Sequence, residues 1–352
     1  MPTAITLVND SLRVLPASDQ LDSDIQQRLN SQTKPPGSLG RLEALAAQVA
    51  RIQKTLTPST EPAHHLVFAA DHGVVAEQVS PYPQIVTQQM VSNFLSGGAA
   101  INVLCRQHEV ALTIVDAGLK NPLPGKAPLI NRSVGPGTTN FCEHPAMTDQ
   151  QLTDCLQTGR DIVDSQAAGA RVISLGEMGI GNTTAAAALV CALYDWPAQQ
   201  MVGAGTGAPA DMQDHKIQVV SRALQQHRAK LTTPLLIMQH LGGFEIAMMT
   251  GAYLRAAALG KLILVDGFIA TVAWAVACQL QPALRDYSVF GHRSAEKGHR
   301  RLLEQLGARP LLQLDMRLGE GTGALTALPL IRSAVALFND MATFTEAGID
   351  TP

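Results

Sequence analysis

The chain is expected to fold as an α/β protein on a parallel sheet flanked by helices. Three observations predict this class. From His64 onward, short apolar runs alternate with alanine-rich helical segments. Four of those runs end in a turn bearing Gly or Asp: Asp71-His72-Gly73, Asp116-Ala117-Gly118, Gly176-Glu177-Met178-Gly179 and Asp266-Gly267. Finally, 46% of the 352 residues are hydrophobic, enough to cover both faces of a sheet and fill a large core. Ligands of such sheets bind beyond the carboxyl ends of the strands, which is where these turns lie.

The segments justify the class in order. Up to about Leu56 a helical period appears around Ile25–Leu29 and again in Leu42, Leu45, Ala46, Val49 and Ile52. Between them Lys34-Pro35-Pro36-Gly37-Ser38-Leu39-Gly40 forms a rigid loop that cannot be helix. Strands are expected at Leu66–Ala70, Ala111–Val115, Arg171–Leu175, Leu235–Met238 and Leu262–Val265. The segment from Ile263 to Leu280 is the nearest approach to an apolar span, but Asp266, Gly267 and Thr271 divide it into strand, turn and helix. No uninterrupted apolar stretch reaches the roughly 18 residues of a membrane crossing. From Thr322 the chain is expected to be nearly all helix, with Leu325, Leu328, Leu330, Ile331 and Leu337 available for packing.

Charge and cysteine content narrow the function. A net charge of -3 leaves no electrostatic footprint for nucleic acid or an anionic membrane. Only 16% of residues are charged, and an oligomer that buries an apolar face would account for so few. Cys105, Cys142, Cys155, Cys191 and Cys278 are odd in number and scattered, with no CxxC or Cys/His cluster. Neither a disulfide framework nor a zinc site is expected, and reduced thiols in a cytosolic protein fit better. The N-terminus lacks the basic and apolar regions of a secretory signal. His72, His292 and His299 match no metal-binding spacing.

Several segments carry chemistry. In Met316-Arg317-Leu318-Gly319-Glu320-Gly321-Thr322-Gly323, one carboxylate sits in a glycine-flexed turn before an apolar helical run. Beside Met316 and Leu318, Glu320 could serve as a partly desolvated general base, although a solvated surface turn has the same pattern. Gly176–Thr184 opens the helix Ala185–Leu193, with Asn182 or Thr183 as its cap. A helix N-terminus can hold an anion, and the same segment equally suits a plain strand-to-helix turn. It is neither a P-loop nor a dinucleotide fingerprint. Gly203-Ala204-Gly205-Thr206-Gly207, followed by Lys216, offers glycine amides and one ammonium to a phosphate monoester. Ser294 could cap a helix running through His299.

Taken together, these motifs resemble the nicotinate-nucleotide–dimethylbenzimidazole phosphoribosyltransferase family (CobT). The resemblance starts at Lys34–Arg41 and runs almost to the C-terminus. It includes Asp71–Val74, Ser80-Pro81-Tyr82-Pro83, Gly97-Gly98-Ala99-Ala100-Ile101-Asn102, Gly176–Thr184, Gly205-Thr206-Gly207, Asp266-Gly267-Phe268, His292–His299 and Met316–Gly323. It implies a large Rossmann-like domain over residues 60–310 and a small helical domain from 1–59 together with 311–352. A homodimer is implied too. The implied substrates are nicotinate mononucleotide and 5,6-dimethylbenzimidazole, and the products α-ribazole 5′-phosphate and nicotinate, with inversion at C1′.

By position, the resemblance makes Glu320 the base, with Glu177 and Lys216 near the reacting centre. Ser80, Gln88, Met178 and Leu318 would line the benzimidazole pocket. Lys216, Ser294, Gly179 and Gly267 would hold the phosphate, and Gly205 lies in the second glycine cluster. No cofactor or metal is implied. Nicotinate leaves a cationic pyridinium glycoside, so it needs neither protonation nor a metal. Consistently, the chain has no adjacent acidic pair of the kind that steers Mg²⁺ to a pyrophosphate. The alternatives are another acceptor, such as adenine or a phenol, on the same fold, or a non-catalytic nucleotide-binding protein. A dehydrogenase would need a dinucleotide fingerprint, and none is present.

Overall fold

The computed structural model describes residues 3–123, 125, 128–203 and 209–350. Its frame is a six-stranded sheet in which every pairing is parallel. The strands are β1 (Ala63–Ala70), β2 (Ala111–Gly118), β3 (Ile130–Asn131), β4 (Val172–Met178), β5 (Leu262–Val265) and β6 (Ser288–Phe290). Their spatial order, β3-β2-β1-β4-β5-β6, reverses direction between β1 and β4. That reversal opens a crevice at the carboxyl ends of these two strands.

Helices precede, connect and follow the strands. α1 (Ala4–Asp10), α2 (Asp22–Ser31) and α3 (Arg41–Gln53) come before the sheet. α4 (Ile85–Leu95) and α5 (Ala100–Gln107) lead from β1 to β2, and α6 (Asp149–Gln166) leads into β4. α7 (Asn182–Tyr194), α8 (Ala198–Met201), α9 (Ala210–His227), α10 (Pro234–Leu241) and α11 (Phe244–Ala258) separate β4 from β5. α12 (Phe268–Leu280) joins β5 to β6, and α13 (Lys297–Gln305), α14 (Thr322–Asp340) and α15 (Phe344–Ala347) complete the chain.

Sequence explains most of this. β1 is buried along nearly its whole length, as expected where helices cover both faces of a parallel sheet. α6 starts at a reciprocal cap: Thr148 Oγ1 accepts from the Gln151 amide at 3.2 Å, and Gln151 Oε1 accepts from the Thr148 amide at 2.9 Å. α6 and α11 pack backbone to backbone. A Cβ on Gly159 would lie 2.0 Å from the Met248 carbonyl oxygen, and one on Gly251 would lie 2.3 Å from that of Leu156. α14 has the length and mean hydropathy, 1.2, of a membrane-crossing helix. It is instead largely buried by protein, against α3, α5, β4 and β5.

Several expectations need correction. Leu235–Met238 is not a strand but the middle of α10, which Pro234 starts and Thr233 caps through Leu236 N at 3.3 Å. Four apolar residues fit a buried helix as well as a strand, and the Thr-Pro start decides between them. The strand expected at Arg171–Leu175 runs on to Met178, so Glu177 belongs to the sheet rather than to a turn. The cap of α7 is Gly181, at φ 97°, not Asn182 or Thr183. α13 begins at Lys297 with Glu296 as its cap, so Ser294 lies ahead of the helix and does not cap it.

Candidate active site

A cleft of about 880 Å³, counting its open mouth, lies at the carboxyl ends of the central strands. β4 and the turn after it supply Glu177 through Thr183, and the loop after β1 supplies Val79, Ser80 and Pro81. Beyond β5 and β6, Asp266–Ala270, His292, Ser294 and Glu296 form another wall. Lys216 enters from α9, and Arg317, Leu318 and Gly319 close the last side.

One end is built for an anion. The N-termini of α7 and α12 both open onto the cleft through Gly181–Thr183 and Gly267–Ala270, presenting amides that have no partner within their helices. Lys216 is buried at 3% exposure, and its Nζ donates to Thr183 Oγ1 at 3.2 Å. Burial lowers its pKa, against the pull of the Glu296 carboxylate. An anionic ligand would restore what burial takes from this ammonium. Ser294 Oγ lies 2.8 Å from His299 Nδ1, and His299 Nε2 lies 3.0 Å from Thr271 Oγ1. The Ser294 amide also donates to Nδ1, at 3.0 Å, so His299 is neutral with its proton on Nε2. Burial, with help from His292 and Arg293, lowers His299 to about 3.

The other end is acidic. Glu177 stands on the cleft wall and accepts a short hydrogen bond from Asn182 Nδ2. Burial pushes its pKa up to about 8, aided by the carboxylates of Glu245, Asp266 and Glu320 and opposed by Asn182. Glu177 is therefore mostly protonated at neutral pH. Glu320 is 4% exposed and lies behind Gly319, off the cleft wall itself. Its Oε2 is 3.5 Å from the Ile101 amide in the first turn of α5. Burial raises the Glu320 pKa, the Ile101 amide opposes that rise, and Asp266 adds to it.

The turn around Glu320 is conformationally demanding, with φ of 83°, 63° and 86° at Gly319, Glu320 and Gly321. Glycine tolerates this region and glutamate adopts it at a cost. Asp266 supports the turn, accepting from Gly321 N at 3.2 Å and from Ala324 N at 2.9 Å.

The structure thus brings Glu177, Lys216, Ser80, Met178, Gly179, Gly267, Ser294 and Leu318 to one cleft. Gln88 is elsewhere, its Nε2 3.5 Å from the Pro122 carbonyl oxygen. Gly205 lies outside the described residues. Sequence reasoning missed Asp266 as a support for Glu320, Asn182 as a partner of Glu177, and the fully buried His72–Glu245 pair, 2.7 Å apart. Asp266 had a signal, an acid placed directly after an apolar strand. Asn182 lies only five residues after Glu177, but their contact depends on how the turn between them folds; His72 and Glu245 are 173 residues apart, beyond any local pattern.

A buried cation, two helix N-termini and a proton-holding carboxyl lining one cleft suit an enzyme that acts on a small anionic molecule. The chain belongs to the phosphoribosyltransferase family, whose profile matches residues 14–349. It is 51% identical over 325 residues to the nicotinate-nucleotide–dimethylbenzimidazole phosphoribosyltransferase of Ectopseudomonas mendocina, covering 92% of this chain and 93% of that one. The enzyme of the same name from Xanthomonas oryzae pv. oryzae is 52% identical over 324 residues, covering 92% of each chain. Among solved structures, CobT from Thermus thermophilus superposes with a TM-score of 0.90 at 44% identity, covering 95% of this chain and all of that one.

Proposed function

We propose that the protein transfers the phosphoribosyl group of nicotinate mononucleotide to 5,6-dimethylbenzimidazole, as the names of its relatives state for them. The observation that carries this reading is the two-ended cleft: anion-holding amides and Lys216 at one end, Glu177 and the Glu320 turn at the other. One ring nitrogen of the benzimidazole attacks C1′ from the face opposite nicotinate. The bond from C1′ to the pyridinium nitrogen breaks, its electron pair stays on that nitrogen, and nicotinate leaves. The β-nucleotide becomes the α-anomer, α-ribazole 5′-phosphate. The proton on the second benzimidazole nitrogen passes to a carboxylate, and we assign that role to Glu320. Its raised pKa makes it a better proton acceptor than an exposed glutamate.

Glu177, protonated near neutrality, acts beside it as a hydrogen-bond donor. Ser80, Met178 and Leu318 flank the aromatic base; Gln88, which lies off this cleft, is left out of that role. Lys216, Ser294, Gly179 and Gly267 hold the phosphate, whose binding energy positions C1′. The domain reading keeps 1–59 with 311–352 as a helical unit, supported by Gln32 Nε2 donating to the carbonyl oxygens of Leu337 and Phe338. Five free, buried cysteines support a reducing cytosolic setting. The exposed Tyr82 and Leu318 beside the cleft support a homodimer, which light scattering on the eluting protein would test.

The decisive experiment is a chromatographic assay of both substrates in EDTA, comparing wild type with Glu320→Gln. Wild type is expected to form α-ribazole 5′-phosphate, and the folded variant to lose about 100-fold or more of kcat. No product from wild type would refute the acceptor, with adenine and phenols next to be tried. An unimpaired variant would remove Glu320 from the mechanism while leaving the reaction.

A further inference from the structure

His65 is completely buried in β1, directly across from Ser174 in the β1–β4 register. Its Nδ1 is 2.7 Å from Ser174 Oγ, and its Nε2 is 2.8 Å from the backbone carbonyl oxygen of Glu320. A carbonyl oxygen only accepts, so Nε2 carries the ring proton and Nδ1 takes the hydroxyl hydrogen of Ser174. The serine thereby fixes which nitrogen faces Glu320.

This contact reaches the most demanding piece of backbone in the site. Glu320 occupies the left-handed region between two glycines that do the same, a conformation that costs a non-glycine residue on the order of 1 kcal/mol or more. It persists only where its surroundings hold it. Asp266 holds the far side through Gly321 N and Ala324 N, and His65 holds the Glu320 carbonyl itself. There is no slack between them. A Cβ on Gly321 would lie 2.0 Å from the His65 ring, and one on Gly176 would lie 2.2 Å from the Glu320 carbonyl oxygen.

We infer that His65, oriented by Ser174, is a positioning residue for Glu320: its Nε2–H fixes the Glu320 peptide and so aims the proton-accepting carboxylate toward the benzimidazole. The inference rests on the reading of Glu320 as the base. His65 touches no substrate. Its effect falls on the step in which Glu320 takes the proton, not on nucleotide binding at the Lys216 end.

The test is a double-mutant cycle on the full-length enzyme, with steady-state kinetics for His65→Phe, Glu320→Gln and the pair, and melting curves to confirm folding. His65→Phe is expected to lower kcat about 10- to 100-fold, with KM for nicotinate mononucleotide changed less than about twofold. His65→Gln, whose amide can donate from near the Nε2 position, should recover most of that loss. In the Glu320→Gln background, His65→Phe should cost nothing further, because the group it aims is gone. An equal loss in both backgrounds means His65 only maintains the fold and overturns the proposal. A wild-type kcat for His65→Phe alongside an inactive Glu320→Gln overturns it while leaving the base intact. A fully active Glu320→Gln overturns the base and this proposal together. Should His65→Phe not fold, Ser174→Ala takes its place in the cycle, with the same pattern expected at smaller amplitude and the same results counting against it.

Discussion

At one end of the cleft Glu177 stands on the wall with its pKa raised to about 8, and Glu320, next to Gly319 and off the wall, is under the same pressure from burial. At the other end Lys216 is buried and its pKa is lowered. At both ends burial disfavours the charged form, raising the carboxyl pKa values and lowering that of the ammonium. Each has a neutral histidine fixed by a hydroxyl, His65 by Ser174 and His299 by Ser294. The contrast lies in what completes them. The cationic end is short of negative charge, which a phosphate brings. The acidic end has carboxyl groups crowded together, and an incoming base supplies apolar cover and a proton to take. The cleft is electrostatically unfinished at both ends, and substrates of the two expected kinds finish it.

The comparison breaks most visibly if the two ends are not separable. Lys216→Ala should lower kcat/KM for nicotinate mononucleotide by about 100-fold or more, because remote binding energy is lost along with alignment of C1′. The pH dependence of what activity remains should not move, since the acidic end is untouched. A profile displaced by this change would mean that the ends are coupled and the contrast is false.

A smaller change is expected for Glu177→Gln. At pH 7 a group with a pKa of about 8 is mostly protonated, and an amide reproduces much of its donating ability. Activity at pH 7 should fall less than about tenfold. The alkaline side should differ more: wild-type kcat/KM should decline through about pH 8 as Glu177 ionises beside Glu320, and the variant should lose that decline. An identical alkaline limb in both proteins would show that Glu177 does not titrate there. Stability supplies an independent check with a definite sign. The raised folded pKa makes the Glu177 contribution complete below about 4.5 and lost as pH rises through about 8. The melting temperature of wild type should therefore drop relative to Glu177→Gln across that interval.

How much of this the chain announces follows from how each feature is encoded. β1, β2, β4 and β5 are apolar runs ending in polar or glycine turns, and burial on both faces gives them a local signature. β3 and β6 span two and three residues, too short for any period to emerge. Leu235–Met238 failed because four apolar residues carry no period of their own. Glu177, Glu320 and Lys216 were legible as unusual residues beside glycine turns and through the family pattern. Their surroundings were not. His65 meets Glu320 across 255 positions and Asp266 meets Gly321 across 55, so those contacts exist only once the sheet has ordered its strands. The placement of Glu320 behind Gly319, off the cleft wall, depends likewise on three successive positive φ values.

The smallest expected effect compares the two neutral histidines. Both have folded pKa values below the unfolded 6.5, about 4 for His65 and about 3 for His299. Between the folded and unfolded values the unfolded chain binds a proton that the native protein refuses, so stability rises with pH. Each contribution is complete above about 6.5 and lost as pH falls through the folded value. Denaturant titrations from pH 7 downward should show wild type losing stability relative to both His65→Gln and His299→Gln, with equal slopes at first. Below about pH 4 the difference from His65→Gln should level off, while that from His299→Gln should keep changing toward about pH 3. Burial dominates both shifts, but Glu320 lends His65 a carbonyl that opposes its shift, whereas the neighbours His292 and Arg293 add to that of His299. If both differences level off together, the surroundings of the two histidines are equivalent, and the two ends of the cleft differ in their charged groups alone.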